Sequence, residues 1–168
     1  AVGSYLADGK PACVYMQNSG IGNAVNPIAS LANRDVYGIP MLFLVGWRGE
    51  PGVKDEPQHV FQGKITCKLF EVLTIPYEVI DKDTTWEQME SILTEAFETL
   101  SGGEQFAIIV RKGTFEKDVP YTWENGNTLN REEALATILK EGGHEAVLVS
   151  TTGKISRELY EQSDALYG

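Results

Sequence analysis

Basic residues are scarce in this sequence. Fourteen lysines and arginines stand against 24 aspartates and glutamates, a formal charge of −10. That imbalance excludes nucleic acid and anionic membrane surfaces as general partners, because both are polyanions. A small anionic ligand remains possible, but it needs a local cationic pocket. Cysteine is almost missing as well: Cys13 and Cys67 are the two in 168 residues. They form no C-x-x-C pair and no disulfide framework. Both fall in apolar-patterned stretches, so they read as reduced core residues. No apolar run approaches the roughly 18 residues of a membrane span. No stretch reads as a signal peptide, and there is no N-x-[ST] acceptor. The chain therefore reads as cytoplasmic. With 42% apolar residues, a buried core is expected.

What is present alternates. Ala12–Gln17, 40–47, 77–81 and 106–111 read as strands, three of them near-continuous apolar runs. Between them lie helical patterns. Ile21, Val25, Ile28 and Leu31 recur at helical spacing, disturbed by or starting at Pro27. Val60, Phe61, Ile65, Leu69, Val72 and Leu73 mark a second helix. Trp86, Met89, Leu93, Phe97 and Leu100 mark a third, with Thr84 or Thr85 to cap it and Gly102 to end it. Continuous apolar strands alternating with amphipathic helices predict an α/β fold: a doubly wound, mostly parallel sheet with helices on both faces. Right-handed crossovers then put every strand-to-helix loop at the carboxyl edge. The polar loops 18–23 and 47–59 both follow strands, so they converge into one site if those strands are neighbours.

Residues 112–129 are rich in turn formers without periodicity and read as a linker. Beyond it come a helix (131–143), a strand over EAVLVSTTG (145–153) and an amphipathic start, KISRELYEQSDALYG. The chain opens without Met, in what reads as the second half of an amphipathic helix, so the sequence is expected to be a fragment.

The motif to explain is QNSGIGN, residues 17–23, where two glycines and two asparagines stand at a strand-to-helix turn. Read as G-x-G-x-x-G, it puts Val25 at the third glycine and lacks a ribose-binding acid. STTGKIS looks like a P-loop, but Leu148 replaces the first glycine and Ile155 follows the lysine. Ser19 has no nucleophile elbow and no evident base. His59 and His144 lie far apart without metal-ligand spacing; His144 reads as a surface turn residue, and His59 either starts a helix or meets an anionic ligand. Two readings of QNSGIGN stay open. One is a tight turn with Asn capping. In the other, Gly20 and Gly22 let a flat ligand approach the backbone while Asn18 and Asn23 make polar contacts.

Three segments, QNSGIGNAVNPIASL, YGIPMLFLVGWRGEPGVKDEPQH and STTGKISREL, together resemble the phosphonopyruvate decarboxylases, thiamine diphosphate-dependent enzymes closely similar to sulfopyruvate decarboxylases. The resemblance covers nearly the whole chain. It implies a pyrimidine-binding domain over 1–111, a linker over 112–129 and the start of a diphosphate-binding domain over 130–168. It implies thiamine diphosphate and Mg²⁺ as cofactors and a homo-oligomer with its active site between subunits. The implied reaction is decarboxylation of 3-phosphonopyruvate, a small anionic 2-oxoacid, to phosphonoacetaldehyde and CO₂. Carried over residue by residue, Asn18, Ser19, Gly20, Gly22 and Asn23 become candidate cofactor-site residues, and Arg48, Gln58 and His59 candidates for the substrate's anionic groups. The family's activating glutamate is expected upstream of Ala1, and its metal-binding G-D-G…N-N segment beyond Gly168. The alternatives are a sulfopyruvate decarboxylase subunit and a non-catalytic flavodoxin-like binding module.

Overall fold

The computed structural model describes residues 1–116, 126–151 and 153–168. The chain divides into two units, Ala1–Lys117 and Asp118–Gly168. Part of the expected linker, 117–125, lies outside the described residues.

The first unit runs α1 (Val2–Asp8), β1 (Ala12–Gln17), a 3₁₀ turn (Asn18–Gly20), α2 (Ile21–Pro27), a π turn (Ile28–Ala32), β2 (Met41–Gly46), α3 (Pro57–Val72), β3 (Tyr77–Ile80), α4 (Trp86–Ser101) and β4 (Gln105–Val110). All pairings are parallel, in the order β1-β2-β4-β3, and Gln17 stands beside Gly46, which stands beside Val110. Both faces of the sheet are covered at β2 and β4, as their continuous apolar runs predict. On one side Ile21, Ile28 and Phe70 pack on Met41, Phe43, Val45, Ala107 and Ile109. On the other, Ala96, with Met89, Ile92 and Leu93, packs on Phe106, Ile108 and Leu42. The change of side follows from the order of strands: β1→β2 and β2→β3 step one way, β3→β4 steps back, and right-handed crossovers therefore place α4 opposite α2 and α3. Thr85 closes a capping box with Gln88 at the start of α4.

Several expectations are corrected. Leu31 is exposed and Ala32 takes the buried place, because Pro27 has no N–H to give and the backbone widens into the π turn, which shifts the phase by one residue. On α3, Val60, Phe61 and Val72 are exposed; the buried line is Gly63, Thr66 and Phe70. On α4, Trp86 and Phe97 flank the face that meets the sheet and stay exposed. Cys13 is exposed rather than core. It stands beside Leu42 on the side that α4 covers, but β1 is the edge strand and α4 does not reach it, so Tyr15 on the same side is 80% exposed. Among the described residues no helix is long and apolar enough to cross a membrane.

In the second unit, α5 (Arg131–Gly142) starts in a capping box between Asn130 and Glu133. It packs against α6 (Lys154–Tyr167) through the Arg131–Glu158 ion pair and a 2.6 Å hydrogen bond from the Tyr167 hydroxyl to the Leu139 carbonyl. Among the described residues of 145–153 the expected strand is not formed. Val147 and Val149 are 91% and 94% exposed. A parallel strand requires a neighbour to complete its ladder, and the described residues of the second unit include no strand.

Candidate functional site at the carboxyl edge

β1 and β2 are neighbours, so the loops that follow them meet. Asn18 joins them and is fully buried. Its Nδ2 donates to the Arg48 carbonyl (2.7 Å) and to the Thr66 hydroxyl (2.9 Å), and its Oδ1 accepts from the Arg48 N–H (3.1 Å). Thr66 in turn donates to the Gln62 carbonyl at 2.8 Å, and Gln62 Nε2 donates to the Asn18 carbonyl at 3.1 Å. The Trp47 indole N–H donates to the carbonyl of Gly63 at 2.9 Å. The first turns of α3 are thus hooked to both loops by side chains that sequence periodicity treats as ordinary.

Two glycines make that approach possible. Gly49 has φ +68°, and a Cβ there meets the His59 carbonyl oxygen at 1.9 Å; a Cβ on Gly63 meets the Gly49 oxygen at 1.7 Å. Backbone crosses backbone here, and only glycine fits on either side. Gly20 and Gly22 are different. Gly20 is helical (φ −71°, ψ −20°), a Cβ there meets the Met16 side chain, with Sδ at 3.4 Å and Cβ at 3.6 Å, and at Gly22 nothing lies within 4 Å. Among the described residues nothing requires glycine at either position.

The remaining candidates are spread out. Ser19 Oγ donates to the side-chain oxygen of Gln17 at 2.7 Å, and both Ser19 and Asn23 are exposed. The Asn18 amide, fully engaged and enclosed, offers no atom to a ligand; it positions the loops instead. Gln58 is exposed, and His59 gives its backbone N–H to the Glu56 carbonyl at 2.9 Å. Arg48 donates through Nε (2.8 Å) and Nη2 (2.5 Å) to the two oxygens of Asp55, which also accepts from the Gly49 and Glu56 backbone N–H groups at 2.8 Å each.

Beside this pair, between the ends of β2 and β4, lies a cleft of about 410 Å³ lined by Trp47, Arg48, Glu50, Asp55, Arg111 and Lys112 among others. Arg48 is the one sequence-predicted site residue that reaches it. Glu50 pairs with Arg111 Nε at 3.1 Å, and Asp81, at the end of β3, lies 3.5 Å from Arg111 Nη1. Asp55, Glu50, Arg111 and Lys112 escaped the sequence reading as site residues, although the carboxyl-edge rule applies to the strand ending at 110 as it does to the others. Among the described residues no three His, Cys, Asp or Glu side chains converge to hold a metal ion.

The Arg48 fork, aided by the Gly49 and Glu56 N–H groups, holds the Asp55 carboxyl well below the usual carboxylate range. The unfolded chain then takes up a proton below roughly pH 4 that the native carboxylate refuses, so the stabilisation is complete above that pH and is lost as acid is added. Chemical denaturation from about pH 7 down to about pH 3 is expected to show this slope, and Asp55→Asn is expected to flatten it. An unchanged slope in the variant would exclude Asp55 as its source.

Residues 1–70 match the family described as thiamine pyrophosphate enzyme, N-terminal TPP binding domain. Over 181 aligned positions, 98% of this chain, the sequence is 33% identical to a phosphonopyruvate decarboxylase of Streptomyces viridochromogenes and 32% identical to one of Streptomyces hygroscopicus. It is 43% identical over 75 residues, 45% of the chain, to a sulfopyruvate decarboxylase subunit alpha of Methanococcus maripaludis, 42% of whose length is covered. The chain spans 44% of the length of each Streptomyces relative.

Proposed function

We propose, because residues 1–70 match the family of thiamine pyrophosphate enzyme N-terminal domains, that this chain is the pyrimidine-binding part of a cytoplasmic thiamine diphosphate-dependent decarboxylase acting on 3-phosphonopyruvate. The observation that carries the substrate is the extent of the likeness. It runs through both units to phosphonopyruvate decarboxylases, whereas the likeness to sulfopyruvate decarboxylase alpha subunits spans less than half of the chain. The higher identity within that shorter match favours a sulfopyruvate decarboxylase as the second reading.

Gly20 and Gly22 fit a cofactor ring. Glycine in a helix costs up to about 1 kcal/mol relative to alanine, and no contact among the described residues accounts for two of them at the start of α2. Removing both Cβ atoms leaves bare backbone, with Ser19 and Asn23 exposed beside it, for a flat ring to lie against. When bound, thiamine diphosphate supplies a carbon nucleophile and an electron sink for the loss of CO₂. The chain's own residues do the orienting: Asn18 fixes the loop that presents Gly20 and Gly22, and the Arg48–Asp55 fork fixes the wall of the substrate cleft. The diphosphate and Mg²⁺ find no carboxylate cluster among the described residues, so no residue of this chain is assigned to them. The intact enzyme is proposed to be a homo-oligomer that completes the site between subunits.

Gly22→Ala tests the ring contact, because its two consequences have opposite signs. Stability is expected to rise by about 0.5–1 kcal/mol from helix propensity, while the affinity of the intact protein for thiamine diphosphate falls. Thermal unfolding together with cofactor titration reads both. Undiminished affinity would remove the ring from this face. Turnover of 3-phosphonopyruvate against 3-sulfopyruvate by the intact protein decides between the two substrates.

A further inference from the structure

We infer that Arg111 and Lys112, at the end of β4, bind the acidic head group on carbon 3 of the 2-oxoacid substrate; this rests on the decarboxylase reading above. Three cations line the 410 Å³ cleft, and they are not equally free. Arg48 has its bidentate edge, Nε with Nη2, filled by Asp55 at 2.8 and 2.5 Å, and that carboxylate is only 12% exposed and anchored by two backbone N–H groups. An incoming anion competes poorly for that edge. Arg48 is thereby a structural wall of the cleft with one amino group to spare.

Arg111 is held differently. Its Nε contacts Glu50 at 3.1 Å, and Nη1 makes one long 3.5 Å contact with Asp81. Glu50 is 12% exposed and fixes the direction of the guanidinium. The Nη1–Nη2 edge is the one that faces a weak partner, and an oxyanion that displaces Asp81 gains two parallel N–H donors in place of one long contact. Lys112 is exposed, lines the same cleft, and has no side-chain partner among the described residues. Among the residues that line the cleft, Arg48 is matched with Asp55 and Arg111 with Glu50, which leaves Lys112 as the unmatched positive charge of the lining; Asp81, 3.5 Å from Arg111, stands outside it. In a chain of formal charge −10, that is the local cationic pocket an anionic substrate needs. The cleft is also within the size range of small-molecule sites.

The shared chemistry is a tetrahedral oxyanion, phosphonate or sulfonate, so the test uses both, with pyruvate as the 2-oxoacid that lacks the group. Lys112→Gln removes charge from an exposed side chain with no hydrogen bond or ion pair to lose among the described residues, and Arg111→Lys keeps charge while removing the fork. In the intact protein with thiamine diphosphate and Mg²⁺, each substitution is expected to raise KM for the head-group substrate roughly tenfold. KM for pyruvate and kcat are expected to stay within about twofold. The substrate whose KM moves, 3-phosphonopyruvate or 3-sulfopyruvate, identifies the source of the anion. Equal effects on pyruvate, or none on either acidic substrate, would overturn the assignment. Methylphosphonate titration followed by ³¹P line broadening separates the two layers. If the intact protein decarboxylates no 2-oxoacid yet binds methylphosphonate through Lys112, the decarboxylase reading fails and the anion site stands. If it decarboxylates 2-oxoacids and Lys112→Gln leaves both binding and KM unchanged, the reading stands and the site fails.

Discussion

Gly63→Ala is expected to destabilise the first unit by about 3 kcal/mol or more, although alanine is the better helix former. An added Cβ lies 1.7 Å from the Gly49 oxygen, 2.0 Å from the Gly49 carbonyl carbon and 2.7 Å from the Arg48 oxygen. These are backbone atoms of a loop fixed at both ends. Trp47 N–H is bonded to the Val110 carbonyl at 2.9 Å, and the Gly49 N–H to Asp55 at 2.8 Å. Relief requires α3 to move away from the loop by more than an ångström. That motion breaks the Trp47–Gly63 bond and stretches the Asn18–Thr66 bond, which are 2.9 Å each. Urea denaturation at neutral pH measures the loss as a shift of the midpoint at unchanged slope. A Gly63→Ala protein as stable as the parent, or more so, would show that the crossing yields and that the close approach has no structural consequence. The contrast with Gly22→Ala, expected to stabilise, makes the pair informative: two helical glycines, one required by the chain and one not.

Asn18→Ala is expected to cost roughly 2–4 kcal/mol, because it leaves the Arg48 N–H, the Arg48 carbonyl and the Thr66 hydroxyl each short of a bond inside the fold. Asn18 is buried with all of these partners at 2.7–3.1 Å, and among the described residues no buried side-chain polar atom lacks a partner. Asn18→Asp keeps the shape but turns an N–H donor into an oxygen facing the Arg48 carbonyl. Burial and that carbonyl both favour the protonated acid. The variant's stability is therefore expected to be higher near pH 5 than near pH 8, the reverse of the Asp55 effect. Denaturation at the two pH values separates this from a simple loss of packing; a variant indifferent to pH would show that the carboxyl is not enclosed. In the intact protein both substitutions loosen the loops that carry Gly20, Gly22 and Arg48, so cofactor affinity and KM are expected to weaken together rather than one alone.

The sequence by itself determined the class of fold and where its loops go. Continuous apolar runs over 40–47 and 106–111 predict strands covered on both sides, as β2 and β4 are; the run at Ala12–Gln17 predicts the same, but as the edge strand it leaves Cys13 and Tyr15 exposed. The handedness of crossovers is a property of all L-amino-acid chains, so it fixed the carboxyl edge without coordinates. A threonine cap at 84 or 85 is local and was equally legible, and the structure places it at Thr85, in a capping box with Gln88. What periodicity could not supply was phase where polar or small residues do the packing. Gly63 and Thr66 face inward on α3 while Phe61 and Val72 face out, because the helix is held by a backbone crossing and by Asn18, contacts 14 and 48 residues apart in sequence. The same holds for the site. Asp55 occupies Arg48 from within the same loop, but that Arg111 and Lys112 share their cleft depends on β2 lying beside β4. Strand order decides which charged loop ends become neighbours, and strand order is set by which faces the helices bury, a property of the assembled unit and of no segment alone.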